Sequence, residues 1–370
     1  MIFKPGPAAV VIILIGIASY LYVSNIPKSS TPFALHPSET EKRKPIETIA
    51  TGLKVPWALA FLPDGSMLIT ERGGSLKLVD KNGIMEIGKI DVHENGESGL
   101  HGVAVHPQFN SNSFVYFYHT YSSNGEKSQN RVVRFTLKNN SLKNQTTIVD
   151  NIPGAIFHDG GRIKFGPDGY LYITTGDAQN PSLAQNRNSL AGKILRVTDS
   201  GKAAPGNPFN NLIYSWGHRN PQGIAWDSKG NLWETEHGET ATDEVNKIEA
   251  GKNYGWPEIR GAGVRVGMEM PKIQSGSKTW APAGMAFYLP AGRQGNGSLF
   301  FGGLRGKALF QLNISTLEPK EHFYNELGRI REVVMGPDNM LYITTSNRDG
   351  RGDAGAEDDK IIRVDPARLN

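Results

Sequence analysis

From Ile46 onward the chain alternates short runs rich in Val, Ile, Tyr, Phe and Thr with clusters of turn residues. One phrase recurs: an apolar residue, a turn containing Pro, Asp, Asn or Gly, then a strand-like run. It is found at Phe61–Arg72 (FLPDGSMLITER), Val105–Thr120, Phe165–Asp177 (FGPDGYLYITTGD), Trp226–Gly238 (WDSKGNLWETEHG) and Met335–Asn347 (MGPDNMLYITTSN). A weaker sixth copy runs over Asn296–Gly306 (NGSLFFGGLRG). Repeats several tens of residues apart, each with several strands, are the signature of a β-propeller. A four-stranded blade cannot bury both of its faces alone, so blades must stack around an axis. Helical runs longer than two turns are hard to find after residue 46. The pattern therefore predicts an all-β, six-bladed β-propeller over residues 46–370, in preference to two unrelated sandwiches.

The N-terminus has a different texture. Lys4 is followed by the apolar run Ala8–Val23, and no clean small-residue cleavage site follows it. Its length falls between a signal-peptide core and a spanning helix. Residues 1–25 read as a signal peptide or, preferably, an uncleaved membrane anchor. Residues 26–45, polar and proline-containing, read as a linker. Either reading sends the rest of the chain out of the cytoplasm, so the expected location is extracytoplasmic.

Composition narrows the chemistry. With 43 glycines and 22 prolines in 370 residues, the chain favours turns and strands over helices. The absence of cysteine excludes disulfides, thiolate metal sites and cysteine nucleophiles. The net charge of +4 is mild, and the longest basic cluster is EKRK at residues 41–44. Nucleic-acid binding needs a concentrated basic face and is not expected.

In a propeller the loops at one end of the channel converge, so chemistry is sought beside the repeated strands. Four clusters lie there: His158 with HDGGR, SWGHRNPQG at residues 215–223, TEHGETATDEVNKIEAGKNYGWP at residues 235–257, and the arginines Arg305, Arg329 and Arg331. They supply a base that titrates near neutrality, several guanidinium groups including Arg219, and oxygen-rich loops at Gly238, Glu239, Asp243 and Glu244. Arginines facing one pocket repel one another unless a polyanion lies between them. Oxygen ligands without cysteine suit calcium before zinc. Each element also has a bland reading. A lone histidine in a glycine loop is more often structural, RNPQG can be a turn, and GRIRE can be an exposed strand. The glycines beside His158 are expected to let a flat ligand come close.

Taken in order, HDGGR, GDAQNPSLAQN, GHRNPQG, TEHGETATDEVN, KNYGWP, APAGMAFY and GRIRE resemble the soluble quinoprotein glucose dehydrogenase and aldose sugar dehydrogenase family, over about Val55 to Pro366. The resemblance implies a six-bladed propeller holding pyrroloquinoline quinone (PQQ) and calcium, with an aldose as substrate and an external electron acceptor. It implies that His158 is the catalytic base. Arg219 and Asn220 would lie near the reactive carbonyl of the quinone, with Asp177 an acidic residue near the pocket. Arg329 and Arg331 would hold cofactor carboxylates. The backbone carbonyls of Gly238 and Glu239 would hold the cofactor calcium, and Glu244 and Tyr254 a second, structural calcium known in some members. There are departures. Arg305 stands where relatives have lysine. Glu97 stands where glutamine is common, and a carboxylate there repels an anionic cofactor or raises the basicity of a nearby histidine. For the tryptophan that covers the cofactor, only Trp280 offers a shifted candidate. The long late insertions of the glucose-specific enzymes are missing, which implies a shallower sugar pocket. Two other readings stay open: a non-catalytic extracellular propeller that binds a glycan or protein, and a calcium-dependent lactonase.

Overall fold

The structure is a computed structural model that describes residues 46–123, 127–290 and 297–369. The apolar run Ala8–Val23, the linker 26–45 and Asn296 of the sixth repeat lie outside the described residues.

The described chain forms six antiparallel four-stranded sheets. Five are contiguous in sequence. The first is β2–β5 (Pro56–Phe61, Met67–Glu71, Ser75–Asp80, Gly83–Lys89) and the second β6–β9 (Leu100–Val105, Phe114–Ser123, Lys127–Lys138, Ser141–Pro153). The third is β10–β13 (Ile163–Phe165, Leu171–Thr175, Lys193–Val197, Ile213–Trp216) and the fourth β14–β17 (Pro221–Trp226, Leu232–Glu236, Glu244–Ile248, Ile273–Gln274). The fifth is β18–β21 (Pro282–Tyr288, Ser298–Gly303, Leu309–Asn313, Pro319–His322). The sixth combines β22–β24 (Ile330–Met335, Leu341–Thr345, Ile361–Val364) with the first strand of the domain, β1 (Ile46–Ala50). Pairing β1 with β24 ties the ring shut and removes an exposed sheet edge. This is the six-bladed propeller that the repeats predict.

The repeated phrase folds the same way in its two most similar copies. In GPDG the Gly166 N–H donates to the Tyr170 carbonyl at 2.9 Å, and in GPDN the Gly336 N–H donates to Met340 at 2.8 Å. The last turn residue takes a left-handed backbone in both, Gly169 at φ 79° and Asn339 at φ 60°. The strands that follow, β11 and β23, are both LYITT and are buried along their whole length.

Six apolar clusters fill the six gaps between neighbouring blades. Phe300 of blade five, for example, packs with Ile330, Val333 and Ile343 of blade six. The core is therefore a set of inter-blade layers, as stacked blades require. Threonines of the second strands tie blade to blade. Thr70 donates to the His101 carbonyl at 2.5 Å, and Thr235 to that of Ala283 at 3.0 Å.

The first strand of each blade lines the central channel. Five of these strands slip register against their neighbours in the first few residues, at Pro56/Ala58, Leu100/Val103, Pro221/Gly223, Pro282/Met285 and Ile330/Glu332. Such irregularities re-aim side chains. They gather at one mouth of the channel, where the inner strands begin.

Candidate functional site

At that mouth the loops entering the inner strands meet those leaving the second strands. They enclose a pocket of about 610 Å³. His158, Glu97, Arg219, Gly238, Glu239, Arg305 and Arg329 line it, together with Phe157, His237 and Arg351. Residues up to 254 positions apart in the chain thus share one wall.

His158 sits on the loop entering β10 with a left-handed backbone, φ 66°. That conformation is costly for a residue with a Cβ and is kept only where its surroundings enforce it. Its Nδ1 lies 2.8 Å from Oδ1 of Asp177, which is fully buried. The second carboxylate oxygen of Asp177 accepts the indole N–H of Trp256 at 2.8 Å, and Oδ1 also accepts the Gln179 N–H. The carboxylate is thus fixed from three sides. It orients the imidazole and leaves Nε2 as the nitrogen free to exchange a proton. Asp177 does not line the pocket and meets it only through His158.

The glycines of HDGG serve the scaffold rather than a ligand. A Cβ on Gly160 would lie 2.7 Å from the Thr174 carbonyl oxygen, and one on Gly161 would lie 2.6 Å from the His101 ring. The expectation that they admit a flat ligand is replaced by this close packing of the loop on β11 and His101.

The guanidinium groups fall into two layers. Arg219, Arg305, Arg329 and Arg351 line the pocket, and Arg331 lies beneath its floor. Arg219 is anchored by its backbone N–H to Glu236 at 2.6 Å, and its guanidinium lies 5.3 Å over the Trp256 ring. Burial lowers its pKa, against the pull of Asp177 and Glu236, and its Nε has no partner. Asn220 is buried, with its Oδ1 holding the Gly160 N–H at 3.1 Å and its Nδ2 unpartnered. Arg331 donates to Gln222 Oε1 at 3.0 Å and keeps Nε unpartnered. Burial pushes its pKa down to about 10. Arg329 is held by Asp349 through Nε at 2.9 Å and Nη2 at 2.7 Å. Both arginines of GRIRE are therefore buried, and the exposed-strand reading does not hold. Three buried donors without acceptors beside one pocket fit an anionic ligand, since such donors are costly when left alone.

Glu97 is matched by Arg351, whose guanidinium reaches its carboxylate at 2.7 Å and lies over the Phe157 ring. Burial would raise the Glu97 pKa, but His237, Arg351 and Arg331 together hold it at about 2. Arg351 comes from the long loop between β23 and β24, beyond the repeated phrase, where no motif marks it. His237 lies within a cluster the sequence does mark, but nothing in the pattern distinguishes it from its neighbours.

The oxygen-rich segment divides. Gly238 and Glu239 stand on the pocket wall, and among the described residues their carbonyls accept no hydrogen bond. Those oxygens fit a hard cation; the Glu239 side chain turns away to pair with Arg260. Asp243 is occupied by backbone N–H groups, from Gly238 at 2.9 Å and from Trp280 at 2.6 Å. Glu244 and Tyr254 line a smaller crevice that shares Arg219, His237, Gly238 and Glu239 with the pocket. The Tyr254 hydroxyl is taken by the Lys247 carbonyl at 2.7 Å and the Glu249 N–H at 2.8 Å, which leaves only its backbone carbonyl as a possible ligand. Glu244 shares the Asn246 amide with the buried Glu234 and Glu236, and burial beside Glu236 raises its pKa to about 8. Trp280 packs among Phe301 and Phe310 in the core between blades four and five. It covers nothing in the pocket, and the tryptophan beside Arg219 is Trp256 of KNYGWP.

The pocket is thus a histidine–aspartate pair facing an arginine-lined cavity with a carbonyl-rich wall. That combination suits proton removal from a polar substrate beside a bound anion. Aldose sugar dehydrogenase YliI of Escherichia coli is 33% identical over 341 residues, which span 82% of this chain and 91% of that protein. The PQQ-bound aldose sugar dehydrogenase of Streptomyces coelicolor superposes with a TM-score of 0.80 at 39% identity, over 86% of this chain and 97% of that one. A glucose dehydrogenase-like oxidoreductase of Thermus thermophilus, described as such only putatively, gives a TM-score of 0.80 at 42% identity, over 86% and 99%. Residues 53–362 match the family described as Glucose / Sorbosone dehydrogenase, and the chain belongs to that family.

Proposed function

We propose that the protein is a quinoprotein aldose dehydrogenase that oxidises the C1 hydroxyl of an aldose to a lactone, using PQQ and calcium. The observation that carries this reading is the His158–Asp177 pair at 2.8 Å, set in a pocket beside which Arg219 Nε, Asn220 Nδ2 and Arg331 Nε lack acceptors. PQQ, when bound, supplies an electrophilic quinone that takes up the two electrons and the hydrogen lost from C1 of the sugar. The remaining work falls to the chain. Arg305 and Arg329 line the pocket where cofactor carboxylates would lie, and Arg331 adds positive potential from below. Arg219 and Asn220 would face the reactive carbonyl with unpartnered N–H donors, a preorganised place for developing negative charge. The carbonyls of Gly238 and Glu239 would hold the cofactor calcium, and Glu244 with the Tyr254 carbonyl a structural one.

His158 Nε2 would take the proton of the anomeric hydroxyl, while Asp177 steadies the imidazolium through Nδ1. Electrons would then leave to an external acceptor. The apolar run Ala8–Val23 supports an extracytoplasmic location with membrane attachment. The lactonase reading loses support because Asp243, a carboxylate on the pocket wall, is already taken up by backbone N–H groups. The binding-module reading loses support because Arg351 answers the charge of Glu97, the carboxylate that would repel an anionic cofactor.

The test adds PQQ and calcium to the purified apo-protein and follows the absorbance of bound quinone. Loading followed by bleaching with an aldose is expected. A protein that loads no quinone, or whose quinone no aldose bleaches, would sink the proposal.

A further inference from the structure

The inner strands that begin at the candidate site end at the opposite mouth of the channel, and there they enclose a second cavity of about 350 Å³. Its walls are apolar, with Phe61, Val105 and Met285 among them. Its charged lining consists of Arg162, Lys164 and Glu332. Gln222 separates it from the upper pocket: the side-chain oxygen takes Arg331 and the backbone carbonyl takes Arg162.

The three charges do not cancel. Arg162 is 5% exposed; its Nε donates to the Gln222 carbonyl at 3.0 Å, one terminal nitrogen pairs with Glu332, and Nη2 has no partner. Both oxygens of Glu332 are already engaged. Beyond Arg162, the carboxylate accepts the Val333 N–H at 2.9 Å and the Leu59 N–H at 3.4 Å. The Lys164 ammonium has no ion pair or hydrogen bond among the described residues, and the charges that act on it are Glu332 and Arg162. Burial depresses both cations; Arg162 is enclosed, whereas Lys164 is only half-buried. The cluster therefore carries one more positive charge than negative, and the buried Nη2 of Arg162 is costly to leave without an acceptor.

We infer that this lower cavity is a binding site for a small aliphatic monocarboxylate, its carboxylate between Arg162 Nη2 and Lys164 and its alkyl chain against the apolar walls. One negative charge restores neutrality, whereas a dianion overshoots. The volume lies at the lower end of the range for small-molecule sites. This inference is independent of the chemistry proposed for the upper pocket.

The test titrates hexanoate into the full-length protein by calorimetry, with hexan-1-ol and inorganic phosphate as controls. One saturable hexanoate site is expected, with neither control matching it. Arg162 braces the channel and its variants risk unfolding, so Lys164→Met is the working substitution. It should weaken hexanoate at least tenfold while Arg305→Ala leaves it unchanged. The inference is overturned by any of four results: no saturable hexanoate binding, equal affinity for hexan-1-ol or phosphate, unchanged affinity in Lys164→Met, or loss of binding in Arg305→Ala, which would place the carboxylate in the upper pocket.

Discussion

His158 and Asp177 lie 19 residues apart in sequence and 2.8 Å apart in space, and their contact sets what each substitution should do. Removing the base by His158→Ala should lower turnover by about 10²–10⁴ while quinone loading is retained. Stopped-flow bleaching of the loaded protein checks this; bleaching at the wild-type rate would remove His158 from the mechanism. Asp177→Asn keeps the shape but loses the charge that steadies the imidazolium. Turnover should fall at least about tenfold with KM for the sugar little changed. The Glu97–Arg351 pair makes a different kind of claim. Arg351→Ala leaves a bare carboxylate facing an anionic ligand, and because the pair is partly exposed the cost should be about tenfold in quinone affinity. Adding Glu97→Gln should restore most of that affinity in a fluorescence titration. If the double variant binds no better than Arg351→Ala, the two residues are not coupled.

At the scale of elements, the inter-blade layers carry the stability. Phe300 of β19 is fully buried between blades five and six. Phe300→Ala should cost about 3–5 kcal/mol, read from the midpoint of denaturant unfolding. The blade turns were legible beforehand because their signal is local: Pro, Asp and a residue tolerant of positive φ, followed by alternating apolar positions. The closing pair β1–β24 was not, because its partners come from the two ends of the domain and no local pattern joins them. For the same reason Arg351, on a loop outside the repeat, entered the site only through the fold.

For the whole molecule, acid stability offers a check on the channel interior. His101 is stacked between Trp57 and Tyr118, with Nε2 on the Glu97 carbonyl. Burial lowers its pKa to about 3. Above pH ~6.5 it is neutral in both folded and unfolded chains and contributes nothing to the pH dependence. As pH falls from there towards 3, the unfolded chain binds a proton that the folded one refuses, so stability falls by at most about 1.4 kcal/mol per pH unit. Other buried groups titrate in the same range, so the measurement is a difference. Unfolding curves of the wild type and His101→Phe between pH 4.5 and 7 should diverge by that slope; parallel pH profiles would contradict it. The sequence by itself determined the architecture and the residue types of the site, because strand periodicity, turn chemistry and the repeat are local and survive in one dimension. Tertiary structure alone decided which charges face which. It gave Glu97 its arginine, put Asp177 behind His158, sent Trp280 to the core and placed Trp256 by Arg219, and left Arg162 and Lys164 short of one anion. The physical reason is that charge compensation and burial depend on distances across blades, which spacing along the chain does not encode.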